Sequence, residues 1–173
     1  GIVGFGRIGQ HLGVMAKAIG MTVIAFDIFH IPGIEEKLGI PYVEMDELLE
    51  KSDFISVHAP AVDGGALINA DRISKMKDGV VILNFARDLL VDEEAILTAI
   101  EEGKVKKYVT DFPNTTTAGK KGCIVTPHLG ASTQESEDNC AVMAVKEIKD
   151  YLENGNIRNS VNYPNCNMGA CTQ

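Results

Sequence analysis

Several things are scarce in this sequence, and each scarcity excludes something. Basic residues are outnumbered, with 16 Lys and Arg against 24 Asp and Glu and a formal charge of −8. No basic stripe is therefore available to neutralise a phosphate backbone, which excludes DNA and RNA as expected partners. No apolar run approaches the roughly 20 residues needed to cross a bilayer, so no membrane association is expected. The start, Gly1-Ile2-Val3-Gly4, has neither the charged prefix nor the cleavage site of a signal peptide, and the expected setting is the cytoplasm. The four cysteines, Cys123, Cys140, Cys166 and Cys171, form no CxxC pair and have no histidine at ligand spacing. Neither a metal nor a disulfide is assigned to them. There are only six prolines, no Ser/Gly-rich tract and no block of like charge, which argues against a linker or a disordered chain.

What is present is an ordinary globular composition, 45% hydrophobic over 173 residues, enough for one compact domain. Short β-branched runs alternate with helical spacing along the whole chain. Strands are expected at Ile2–Phe5, Met21–Phe26, Ser52–Val57, Val80–Leu83, Tyr108–Thr110 and Cys123–Val125. Helices are expected at Ile8–Ile19, Met45–Leu49, Asn69–Met76 and from Asp92 to Ile100, the last stopped by Gly103. A long helix opens at Ser132 or Thr133 and closes at Asn154-Gly155, with Ala141, Val142, Val145, Ile148 and Leu152 at core spacing. Cys140 falls in that pattern and is expected to be a small buried hydrophobe. The alternation predicts an α/β doubly wound parallel sheet of the Rossmann type, in three α/β/α layers. Ligands of such sheets bind beyond the carboxyl ends of the strands, where Gly6, Asp27, His58, Ala86, Arg87, Asp111 and His128 fall.

Gly4-Phe5-Gly6-Arg7-Ile8-Gly9 is a GxGxxG placed between a strand and a helix, the context that gives this short motif meaning. The first glycine permits a tight turn, the second lets backbone approach a pyrophosphate, and the third lets the helix pack closely on the strand. Amides of the helix N-terminus then face the phosphates. Asp27 follows Gly9 by 18 residues at the tip of the next strand, where a carboxylate accepts both ribose hydroxyls. Ile28, Phe29 and His30 bring no Arg or Lys with which to bind a 2′-phosphate, so NAD is expected over NADP.

Four ordered stretches carry a resemblance: Gly4 to Gly9; Val57-His58-Ala59-Pro60; Asn84-Phe85-Ala86-Arg87 with Val91-Asp92-Glu93-Glu94-Ala95-Ile96; and Thr126-Pro127-His128-Leu129-Gly130-Ala131-Ser132-Thr133. Over almost its whole length the chain resembles the NAD-binding domain of the D-isomer-specific 2-hydroxy-acid dehydrogenases, and within them the phosphoglycerate dehydrogenases most. The resemblance implies an NAD-dependent oxidoreductase, with 3-phosphoglycerate as the expected substrate in the first step of serine synthesis and a homodimer formed through this domain. It implies that His128 is the catalytic acid/base and that Arg87 binds the substrate carboxylate, tasks suited to an imidazole and to a planar two-pronged cation. It further implies that Gly4, Gly6, Arg7, Ile8, Gly9, Asp27, His58, Ala59, Pro60, Asn84, Ala86, Asp111 and Gly130 contact the cofactor, with Asp111 accepting from the nicotinamide carboxamide.

Two residues depart from the family pattern. The family places a glutamate shortly after Asp111 to partner the catalytic histidine, whereas Phe112-Pro113-Asn114-Thr115-Thr116-Thr117 has no carboxylate and offers Thr115 or Thr116 there. Asp88 follows Arg87 where the family more often has glycine. The alternatives are a non-catalytic NAD-sensing or corepressor-like module, and a dehydrogenase of the glycerate, lactate or formate type. Residues 1–164 are expected to be the NAD-binding domain, and 165–173 the start of a return to a substrate or regulatory segment outside this chain.

Overall fold

The computed structural model describes residues 1–60 and 64–169. They fall into two compact units, one ending at Pro127 and the other beginning at His128. The first unit holds a six-stranded sheet, β1 (Ile2–Val3), β2 (Ala25–Phe26), β3 (Phe54–Val57), β4 (Val80–Asn84), β5 (Val105–Thr110) and β6 (Cys123–Val125), in the order β2-β1-β3-β4-β5-β6. Every pairing is parallel. Its helices are α1 (Arg7–Ala18), α2 (Ile34–Leu38), α3 (Met45–Lys51), α4 (Ala70–Lys75) and α5 (Glu93–Glu101). The expected doubly wound parallel sheet is the observed fold.

Strand pleating explains why the core has two halves. Neighbours on β1 point to opposite faces: Ile2 joins Phe5, Val23, Ala25, Ile34 and Ile40 beneath α1 and α2, while Val3 joins the larger cluster beneath α3, α4 and α5. That larger cluster contains Leu48, Leu49, Ile55, Val57, Ile82, Ile96 and Tyr108, all fully buried. Ile82 lies mid-strand in β4, so Ile82→Ala should cost about 2–5 kcal/mol, read as a lower urea midpoint.

Helix starts follow local chemistry. Asn69 Oδ1 accepts from Arg72 N at 3.0 Å to begin α4, and Asp92 Oδ1 accepts from Ala95 N at 3.1 Å to begin α5. Beyond α5, Gly103 takes the left-handed conformation at φ +80, as the C′ reading requires.

The strand between Met21 and Phe26 is shorter than its apolar run suggests. Only Ala25 and Phe26 pair, while Met21 and Thr22 are exposed. On the outer side of β2, Tyr42 makes a one-residue parallel bridge with Ala25, a shrunken additional strand that sequence spacing did not reveal. The chain passes from β1 outward to β2 and then crosses back to β3, so the winding reverses between β1 and β3.

The second unit contains α6 (Gln134–Asn154). Thr133 Oγ1 accepts from Ser136 N at 3.2 Å at its start, and Gly155 closes it at φ +72. The expectation of a core-facing stripe fails here: Ala141, Val142, Val145, Ile148 and Leu152 are exposed, as is Cys140. The reason is that the described residues of this unit form no sheet. After α6 comes a tail in which Ile157 and Cys166 bridge antiparallel, and Asn156 is buried between Asp150 and Met168. Helical periodicity marks a face that can be covered without saying that it is. Cys171 lies outside the described residues. No helix among the described residues is long and apolar enough to cross a membrane.

Candidate functional site

Parallel strands put all their carboxyl ends on one rim of the sheet, and the chain delivers a sequence-predicted residue to five of them. Gly4 follows β1, Asp27 follows β2, His58 follows β3, Ala86 and Arg87 follow β4 closely, and Asp111 follows β5. The structure thus brings the first-unit candidates to the rim that flanks the winding reversal, the position at which sheets of this kind bind ligands.

The glycine turn shows three different reasons for its glycines. Gly4 sits at φ +94, and a Cβ there would lie 2.6 Å from both Ala59 N and the carbonyl carbon of His58, so the turn after β1 is pressed against the turn after β3. A Cβ on Gly9 would run into the carbonyl oxygen of Gly4, which is how α1 sits so close to β1. Gly6 differs: its φ is an ordinary −72, it is exposed, and a Cβ would meet nothing within 4 Å. The space above Gly6 is open and is bordered by the amides that begin α1. Arg7 and Ile8, in the first turn of that helix, are also exposed.

Asp27 is tied to this turn. Its Oδ2 accepts from Phe5 N at 2.6 Å and its Oδ1 accepts from Phe29 N at 3.0 Å, which fixes the carboxylate beside the open space while leaving further lone pairs for a ligand. His58 is placed less simply. Its backbone N donates to Val3 O at 2.7 Å, but its ring lies 2.8 Å from Ser56 Oγ and lines an apolar groove of about 330 Å³ with Leu12, Ala16, Leu83 and Phe85. Burial pushes its imidazole below the ordinary histidine range. Its backbone, with Ala59, borders the glycine turn; Pro60 is exposed at the rim.

At the end of β4, Asn84 is fully buried and its side chain is committed to the turn that carries Arg87. Nδ2 donates to Arg87 O at 2.9 Å and to Tyr108 Oη at 3.4 Å, while Oδ1 accepts from Ala86 N at 3.2 Å. Sequence reasoning missed Tyr108 as part of the site: it pairs in register with Ile82, two residues before Asn84 on the adjacent strand, and no signal in the letters showed that its hydroxyl meets the Asn84 amide. Arg87 itself is exposed, and its Nη1 donates to Ala86 O at 2.7 Å. Asp88 opens the short 3-10 turn Asp88–Leu90 immediately after it. Asp111 is buried at the end of β5.

The loop after Asp111 is organised by Asn114, whose Oδ1 accepts from Thr116 N, Thr117 N and Thr117 Oγ1, each at 3.0 Å. The carboxylate met by this loop comes from α5: Glu93 Oε1 accepts from Asn114 Nδ2 at 2.8 Å. Burial pushes the Glu93 carboxyl above its usual range, against the opposing pull of that hydrogen bond. His128 and Gly130 are exposed in the second unit, which His128 begins.

Comparison with known proteins decides the family. Residues 1–130 match the model for "D-isomer specific 2-hydroxyacid dehydrogenase, NAD binding domain". The chain belongs to that family. It is 38% identical over 161 residues to the hydroxypyruvate reductase of Blautia hydrogenotrophica, covering 88% of this chain and 50% of that protein. It is 38% identical over 171 residues to the D-3-phosphoglycerate dehydrogenase of Synechocystis sp., covering 95% of this chain and 31% of that one. The D-lactate dehydrogenase of Aquifex aeolicus, solved with NAD and lactic acid, superposes with a TM-score of 0.74 at 31% identity, covering 87% of this chain and 52% of that one. This member of the D-2-hydroxyacid dehydrogenase family thus spans from 31% to 52% of the length of these relatives. NAD is the cofactor of its domain type, and the bare, open backbone at Gly6 beside a fixed carboxylate fits that dinucleotide.

Proposed function

We propose that the complete protein is an NAD-dependent oxidoreductase acting on a D-2-hydroxy acid, with 3-phosphoglycerate as its preferred substrate and 3-phosphohydroxypyruvate as the product. The observation that carries the reading is the rim itself: an open glycine turn and a backbone-anchored Asp27 stand on the same edge of the sheet as Arg87. The bound NAD would take up the hydride released from C2 of the substrate. The amides of Gly6 to Gly9 would receive the pyrophosphate, and Asp27 would accept from the adenosine ribose hydroxyls. Backbone of His58 to Pro60 and of Asn84 to Ala86 would border the rest of the dinucleotide. Asp111 would accept from the nicotinamide carboxamide and so fix the ring face. Arg87, with its turn held by Asn84, would bind the substrate carboxylate through two parallel hydrogen bonds and polarise the C2 oxygen. His128 would remove the hydroxyl proton during oxidation and return it during reduction. This role rests on the match of Pro127-His128 to the family motif, and by the same motif Gly130 would contact the cofactor.

The preference for 3-phosphoglycerate is supported by similarity to the Synechocystis enzyme across 95% of this chain. Hydroxypyruvate is the rival substrate, since the Blautia reductase is equally similar in identity. A steady-state panel with the complete protein, NAD and 3-phosphoglycerate, D-glycerate or D-lactate separates them, with the largest kcat/KM expected for 3-phosphoglycerate. A non-catalytic NAD-sensing module is favoured by one feature, the lack of any carboxylate between Phe112 and Thr117. Absence of NADH formation with every acid in the panel would establish that alternative. A cytoplasmic homodimer completes the reading, with the family resemblance as its support.

The cofactor choice has its own test. NAD should bind at least about tenfold more tightly than NADP by calorimetry, because a fixed carboxylate repels a 2′-phosphate. Asp27→Ala should bring the two affinities within about threefold of each other. Equal affinities in the unsubstituted chain would remove Asp27 from the ribose site.

A further inference from the structure

Between the glycine turn and the segment after Asp27 runs a line of three rings. Phe5, the residue between Gly4 and Gly6, is fully buried and meets Tyr42 edge-on, with centroids 5.5 Å apart and planes at 87°. On its other side Tyr42 is stacked flat on His30, with centroids 4.0 Å apart and planes at 6°. Tyr42 is held by main-chain bonding around it: it bridges Ala25, its N donates to Glu35 Oε1 at 2.8 Å, and its hydroxyl accepts from Ile31 N at 3.4 Å. One side chain therefore touches the phosphate turn through Phe5 and the segment after β2 through both His30 and Ile31. Asp27 joins the same two pieces through its bonds to Phe5 N and Phe29 N. Apart from Tyr42, the exposed residues 28–31 are held at one end by Asp27, through Phe29 N, and at the other by the bond from Ile34 N to Ile31 O at 3.2 Å.

We propose that Tyr42 is a positioning residue for NAD: it clamps residues 28–31 to the glycine turn, so that the Asp27 carboxylate and the bare backbone at Gly6 are presented as one rigid surface. The proposal rests on the NAD-site reading above. Its physical basis is preorganisation: a loop already ordered in the free protein need not be ordered by the ligand, and a carboxylate fixed from both sides keeps its aim at the ribose. Tyr42 acts through Phe5, His30 and Asp27, so its loss should weaken discrimination as well as affinity.

Calorimetric titration of the 173-residue chain with NAD and with NADP tests this. Tyr42→Ala is expected to raise the Kd for NAD by about 5–30-fold and to shrink the NAD-over-NADP ratio. Tyr42→Phe keeps both ring contacts and should restore affinity and ratio to within about threefold of the parent. His30→Ala breaks only the outer stack at an exposed position; it should keep the thermal midpoint and lose an intermediate amount of affinity, which decides the matter if Tyr42→Ala does not fold. A folded Tyr42→Ala with the parent's affinity and ratio overturns the clamp while leaving the NAD site standing. An unchanged His30→Ala overturns it too if Tyr42→Ala is unfolded. A parent chain that binds no NAD overturns the site and the clamp together.

Discussion

Gly6→Ala is expected to leave the thermal midpoint of the chain unchanged while raising its Kd for NAD by about 10–100-fold, the loss of one or two charge-assisted hydrogen bonds to phosphate. The fold has no objection to the methyl group, because Gly6 has an ordinary φ of −72 and open space where its Cβ would go. A phosphate approaching the backbone there would meet that methyl. The neighbouring glycine should behave oppositely. Gly4→Ala places a side chain at φ +94 and within 2.6 Å of main-chain atoms of His58 and Ala59, so the folded state itself should lose about 2–5 kcal/mol. Differential scanning calorimetry and titration on the same two variants separate the effects. Unchanged NAD affinity in Gly6→Ala would place the pyrophosphate elsewhere.

The second large effect is expected at His128. In the complete protein, His128→Ala should lower kcat by about 10²–10⁴, the usual range for removal of a general acid or base. The Kd for NAD should stay within about threefold of the parent, since the groups assigned to the dinucleotide's phosphates and ribose belong to other residues. Stopped-flow measurement of NADH formation provides the first number and calorimetry the second. A variant that retained full turnover would mean that another group moves the hydroxyl proton, and Pro127-His128 would then be a motif without its chemistry.

The sheet, its parallel sense and most of its helices were legible because two periodicities dominate the first 127 residues. Val80–Asn84 and Phe54–Val57 are compact β-branched and apolar runs, and Asn69, Asp92 and Thr133 are cap residues whose side chains do accept from the helix amides. The glycine turn was legible because Gly4 and Gly9 each meet a separate steric demand of the fold. What the letters concealed was the use of each side chain. Asn84 reads as a residue facing a ligand, yet its amide holds the Arg87 turn and Tyr108, which is a matter of rotamer and register across two strands. Tyr42 sits beside Pro41 in a segment too short for any period, so its bridge to Ala25 was invisible. The apolar stripe of α6 was read correctly as a stripe and wrongly as a core, because burial depends on what else lies nearby, and periodicity says nothing of that.

The bridge at Tyr42 has a protective side. Val43 N and Pro41 O face inward and are bonded to Ala25, at 2.8 and 3.0 Å. The main-chain donor of Tyr42, which alternation turns the other way, is satisfied by the Glu35 carboxylate, and Pro41 has no N–H to offer. An extended peptide seeking to lengthen the sheet at this flank would find the Tyr42 donor already taken and a negative charge in the way. The outer flank of β2 is thereby blunted against templated aggregation by a single acidic side chain.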